Sequence, residues 1–143
     1  MPLIALLHPV AVSHRRSHPW YVGLDGLVAI ELSEDEREVL RRGLSEWGGP
    51  AHCTDALAVA MGFESVADLF GQGRQLGSRV ISNEPLSAPD WRRALVATEF
   101  VFASDVFGSG QDWSITTGFS DEQTIRILRG LQRKIGRALR RTV

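Results

Sequence analysis

Five arginines near the C-terminus are the residues whose type and spacing point most directly to chemistry. Arg126, Arg129, Arg133, Arg137 and Arg140 step by three, four, four and three positions. At about 100° per residue in a helix, they fall within an arc of about 80°. A guanidinium is a planar fork that donates hydrogen bonds in pairs, so such a stripe suits carboxylates or phosphates. Ile125, Leu128, Leu131, Ile135 and Leu139 recur at helical spacing on the other side. The competing explanation is a packed helix with a solvated face, since basic residues near a helix C-terminus also favour the macrodipole. A helix lying on a membrane would carry bulky aromatics on its apolar side. This one has none.

Glu99 is the best candidate for a buried ionisable group, set among Val96, Phe100, Phe102 and Ala103. A carboxylate in such surroundings needs a partner or a raised pKa, and a raised pKa can serve acid–base catalysis. The plainer expectation is an ion pair with Arg92, Arg93 or an arginine of the last helix. Asp105 lies too far around the helix to make an acid dyad with it. A ligand-binding or catalytic role would pair Glu99 with the polar loop Gly108–Trp113.

His14 and His18 have i,i+4 spacing, with His8, His52 and Cys53 as further ligand types. Zinc needs three or four converging N, S or O ligands. Pro19 and the weak helical signal around Arg15 and Arg16 oppose a preformed pair. No metal and no cofactor is expected, and His14 and His18 are the residues a metal would use. Cys53, the lone cysteine, rules out an internal disulfide and is expected to be a small apolar residue near a helix start.

A helix-turn-helix is the other candidate, over residues 54–73. Leu57, Ala58, Met61, Gly62 and Phe63 fit its small-residue and turn-glycine pattern. The following helix should then present basic or amide side chains to the major groove. It opens instead on Glu64 and Asp68, which would face phosphates. Gly71, Gly73 and Gly77 have the wrong spacing for a dinucleotide fingerprint, and no strand precedes them. Neither a phosphate-binding Gly-x-x-x-x-Gly-Lys, a Gly-x-Ser-x-Gly nor a His-Glu-x-x-His is present, so an enzyme is the lesser expectation.

The elements that would position these residues are mostly helical. Trp20–Leu32 reads as a hairpin around a two-residue Asp25-Gly26 type I′ turn. Ser33 with Glu36 forms a capping box for a first helix that Gly48-Gly49-Pro50 ends, with Glu38 and Arg42 paired on its wet side. Thr54 and Ser65 cap a second and a third helix, the third weakened by its glycines and open to a kink near Gly71. Ser87 caps a fourth helix reaching Phe107, apolar on nearly every face and therefore expected at the centre. Ser120 with Gln123 opens the last helix, over 121–140. Asp112–Gly118 reads as a loop or a helical turn. The expected fold class is all-α: a compact bundle of about five helices around the central apolar helix at 88–107, with a small N-terminal β-hairpin.

The 143 residues fit one helical domain, 1–143, with 1–19 as an irregular N-terminal arm. Net charge is −1, yet the stretch from Thr124 onward holds seven basic residues and no acidic one. No apolar run approaches the ~20 residues of a membrane span, and the N-terminus lacks the basic start of a signal peptide. Fifteen of the sixteen basic residues are arginine, a usage expected of a GC-rich, bacterial genome. The functional expectation is a non-enzymatic, cytoplasmic interaction or regulatory protein, binding an acidic partner or a further copy of itself through the arginine stripe. Nucleic acid is the less favoured partner, and no membrane is expected.

Overall fold

The computed structural model describes residues 19–141. The chain forms β1 (Trp20–Val22), β2 (Val28–Ile30), α1 (Glu34–Glu46), α2 (Asp55–Ala60), α3 (Val66–Ile81), α4 (Ala88–Ala103), α5 (Trp113–Thr117) and α6 (Asp121–Arg140). It is an all-helical bundle with a small hairpin at its N-terminal end. The expected N-terminal arm, with His14 and His18, lies outside the described residues apart from Pro19. The expected caps are in place. Ser33–Glu36 and Ser120–Gln123 form complete capping boxes, and Thr54, Ser65 and Ser87 accept from the third helical N–H of α2, α3 and α4. The one helix beyond the five expected, α5, occupies part of the stretch read as a loop or helical turn.

The hairpin forms with a different turn. Val22 pairs with Val28, leaving a five-residue connection rather than a two-residue one. Asp25 keeps a negative φ and uses its carboxylate to accept the Leu27 N–H at 3.0 Å, while Gly26 alone turns left-handed at φ 77°. Two strands by themselves are marginal. Here β2 gains a second neighbour, because Val28 and Leu86 exchange backbone hydrogen bonds of 2.7 and 3.1 Å. Trp91 of α4 then donates its indole N–H to the Val28 carbonyl at 2.7 Å.

The centre of the bundle is α1, which packs against α3, α4 and α6. This corrects the expectation that the apolar fourth helix holds the middle. Only one face of α4 is buried, through Trp91, Ala94, Ala97, Thr98 and Val101, and Phe100 is exposed. The helix also ends at Ala103, short of Phe107. Ser104 leaves the helical conformation, and its hydroxyl accepts the Phe107 N–H at 3.0 Å, a local bond that competes with another helical turn. The chain then folds back so that Ser109 donates to the Val101 carbonyl at 2.7 Å. A Cβ at Gly108 would stand 2.7 Å from the Ser104 carbonyl oxygen, so only glycine fits that return.

Close approach explains the choice of α1. A Cβ on Gly43 of α1 would lie 2.6 Å from Cβ of Thr98 on α4, a fully buried residue. Across the other face, Gly73 and Gly77 of α3 are buried against Leu44 and Arg41 of α1. Two of the three glycines expected to weaken α3, Gly73 and Gly77, are therefore contact points, and α3 runs unbroken past Gly71, from Val66 to Ile81. Backbone proximity outweighs the ~1 kcal/mol that a glycine costs in a helix. Two further buried indoles lock the periphery. Trp47 donates to the Ala97 carbonyl at 3.2 Å, and Trp113 donates to Thr124 Oγ1 at 2.8 Å, tying α5 to α6.

Glycine substitutions should separate contact from propensity. Gly43→Ala is expected to lose about 1–3 kcal/mol of stability by overpacking against Thr98. Gly71→Ala, at an exposed position with nothing within 4 Å, is expected to gain up to about 1 kcal/mol. Urea unfolding of the two variants checks both signs. A Gly43→Ala protein as stable as the parent would refute the close-approach account.

Candidate functional site

The last helix presents three separate faces. Thr124, Leu128, Leu131, Ile135 and Ala138 are buried against the bundle. Ile125, expected in that apolar set, is exposed instead. It falls on the flank beside Arg129, one helical turn away. Arg126, Arg129, Arg133, Arg137 and Arg140 are all exposed on the face opposite the core. The stripe spans 126–140, about 20 Å of helix at 1.5 Å per residue.

Lys134 serves the third face and differs from the arginines around it. Its ammonium reaches Glu36 Oε1 of α1 at 2.5 Å and the Glu31 carbonyl at 3.2 Å. The same Glu36 oxygen accepts the Ser33 N–H at 2.8 Å, and its side chain is only 8% exposed. A compact ammonium with three donors can serve two acceptors in different directions; a planar fork fits this corner less well. The signal in the sequence was that Lys134 is the only lysine among sixteen basic residues.

Of the nine other basic residues described, five meet a carboxylate of the chain, Arg37 donates to the Leu32 carbonyl, and Arg74, Arg92 and Arg141 meet no carboxylate among the described residues. Arg41 and Arg42 share Glu38, at 2.5 and 3.0 Å, which includes the expected i,i+4 pair. The Arg41 fork, with Arg42 behind it, holds the Glu38 carboxyl below its ordinary value. Arg79 and Arg93 share Asp90. By contrast, no arginine of the stripe meets a carboxylate of this chain among the described residues. Arg129, Arg133, Arg137 and Arg140 line one shallow open groove together with Gln132. Arg126 stands apart, at the edge of a second depression shared with Asp35 and Glu36.

Glu99 is half-buried on α4, and its expected ion pair is absent among the described residues. Its Oε2 accepts from the Gln132 amide at 2.6 Å. It also does not meet the Gly108–Trp113 loop. The acid that holds that loop is Glu46, the last residue of α1. Glu46 is 7% exposed, and its Oε2 accepts from Ser109 Oγ at 2.5 Å and from Thr116 Oγ1 at 2.9 Å. Two hydroxyl donors on one carboxylate make a strap between α1 and the segment around α5. Glu46 was missed because a glutamate just before Trp47-Gly48-Gly49 reads as a solvated helix end.

In the 54–73 stretch, two of the three acids are spent on backbone. Asp55 accepts the Val66 N–H and Asp68 the Glu64 N–H, each at 2.9 Å. Glu64, Ala67 and Phe70 are exposed at the start of α3, with Arg74 as the exposed basic residue beyond them. Among the described residues no group of three His, Cys, Asp or Glu is placed to hold a metal. No described helix is long and apolar enough to cross a membrane. Comparison with known proteins gives no match to a family model, a curated protein or a solved structure.

Lys134 and Cys53 give measurable expectations. Lys134→Met should cost on the order of 1–2 kcal/mol, because a nearly buried carboxylate loses its partner while a third-exposed ammonium is removed. Thermal unfolding reads this as a fall of a few degrees, and an unchanged midpoint would contradict the role of the pair. For Cys53, burial first and the Asp55 carboxylate second push the thiol up from its ordinary value, while a backbone hydrogen bond pulls the other way. Less thiolate is then present at neutral pH. A disulfide reagent should react with the native protein more slowly than with a small free thiol, and faster as pH rises. Equal rates at neutral pH would show an unperturbed thiol.

Proposed function

We propose that this protein is a non-enzymatic interaction or regulatory protein that binds an acidic protein surface through the arginine face of α6. One observation carries the reading. Arg41, Arg42, Arg79, Arg93 and Lys134 each meet a carboxylate of their own chain, whereas the five stripe arginines meet none among the described residues. Four of them converge on one groove. Planar forks repeated along a helix match carboxylates repeated along a partner. Electrostatic complementarity of this kind speeds association and selects the partner, and the arginine bodies supply contact area besides charge.

An acidic protein suits the face better than a nucleic acid. The first turn of α6 carries Asp121 and Glu122, which are exposed and would oppose a phosphate backbone. The chain as a whole has a net charge of −1, so it gives no broad field for a polyanion. The lone cysteine and the arginine usage fit the cytoplasm of a GC-rich bacterium, and that is where we put the protein.

Fluorescence anisotropy with labelled decaglutamate tests the reading. Binding is expected at low salt and should weaken steadily as salt is added. The triple variant Arg129→Glu, Arg133→Glu, Arg137→Glu should abolish it while circular dichroism stays unchanged, because all three side chains are exposed. Lys134→Met should leave it intact. A triple variant that binds like the parent, or a parent that does not bind, would sink the proposal. Tighter binding to a short duplex DNA than to decaglutamate would replace it with the nucleic-acid reading.

A further inference from the structure

The groove contains one polar side chain that is not a cation, and its bonding is directional. Gln132 Nε2 donates to Glu99 Oε2 at 2.6 Å, while Gln132 Oε1 accepts from Arg129 Nη1 at 3.0 Å. An amide has a donor end and an acceptor end. A carboxylate accepts only from the donor end, and a guanidinium donates only to the acceptor end. Both neighbours therefore demand the same orientation of Gln132, and Glu99 reaches across from α4 to set it. Glu99 is half-buried and Arg129 is exposed, so the order passes outward from the bundle to the groove.

We infer that Glu99 is a positioning residue for the arginine groove. Acting through Gln132, it holds the Arg129 guanidinium toward a bound carboxylate. The inference rests on the proposed anion-binding role of α6 and explains why a carboxylate is kept beside a face meant for acids. Arg129 has five N–H donors, and Gln132 occupies one of them. The remaining donors face the ligand from a side chain whose freedom is already reduced, so less order has to be imposed on binding.

The two effects of Glu99 have opposite signs, which makes the idea testable. As a charge alone, Glu99 repels an acidic ligand, so its removal should tighten binding. As a positioning residue, its removal should loosen binding. Glu99→Gln is nearly isosteric but lets the facing amides pair in either orientation, so Arg129 loses its fixed acceptor. Decaglutamate binding by Glu99→Gln is expected to weaken about threefold to tenfold, the usual scale for releasing one long side chain. Gln132→Leu should weaken it similarly, and the double variant no further. In an Arg129→Ala background, Glu99→Gln should have no weakening effect, because the group it positions is gone; a merely structural role for Glu99 would weaken binding in both backgrounds. Unchanged or tighter binding by Glu99→Gln, or weakening that persists without Arg129, would overturn the inference and leave the groove's role standing. Failure of the parent protein to bind decaglutamate would overturn both.

Discussion

The bundle depends on how closely backbone can approach the central helix. Its α1 helix meets α4 through its own Gly43, and meets α3 through Gly73 and Gly77 of that helix. On the α6 side, a Cβ at Gly130 would stand 3.3 Å from Glu36 Oε2, so that contact also runs over a glycine. Each of the three helices around α1 is thus seated by removing a side chain from one partner. Small contact residues bring interior dispersion partners within range, and packing at that density tolerates little added volume. The cost is a weaker intrinsic helix on the side of each contact that carries the glycine, offset by tertiary packing, which is where most helical stability in proteins comes from.

The parts of the fold that depend on nearby residues were legible. The serine and threonine caps, both capping boxes, the Glu38–Arg42 pair and the two faces of α6 follow from spacings of three and four. What was illegible depends on distant residues. In the sequence Gly43, Gly73 and Gly77 look like weak points, and only the arrangement of helices shows them as contacts. The apolar richness of 94–107 suggested a central helix. That richness instead divides between the buried face of α4 and the turn beyond it, where a serine hydroxyl ends the helix locally. Glu46 and Lys134 went unnoticed for a related reason: their partners lie 63 and 98 residues away in the chain. The hairpin was visible, but its turn was not, because an Asp-Gly pair fits more than one loop length.

At the candidate site, charge is sorted by geometry. Lysine turns inward to a carboxylate and a carbonyl, and arginine turns outward on the same helix. Glu99 was found by its apolar neighbours, but its partner proved to be an amide rather than a cation. That substitution matters to the groove. An arginine paired with Glu99 would be neutralised, whereas Gln132 transmits orientation and leaves the positive charge uncancelled. The core face of α6 fixes the rotation of the helix about its own axis, so the same residues that bury Leu131 and Ile135 aim the stripe away from the bundle.

Glu36 connects the two ends of the described chain in one further way. A single carboxylate oxygen receives the backbone N–H that opens α1 and the ammonium of Lys134. The capping box is local and can form early, since it closes over three residues. Docking of α6 is long-range and uses the same carboxylate as an acceptor. Winding of the first turn of α1 and seating of the last helix are therefore thermodynamically linked: fraying at Ser33 withdraws the acceptor on which Lys134 rests. The carboxylate thereby couples the stability of the start of the bundle to that of its final helix.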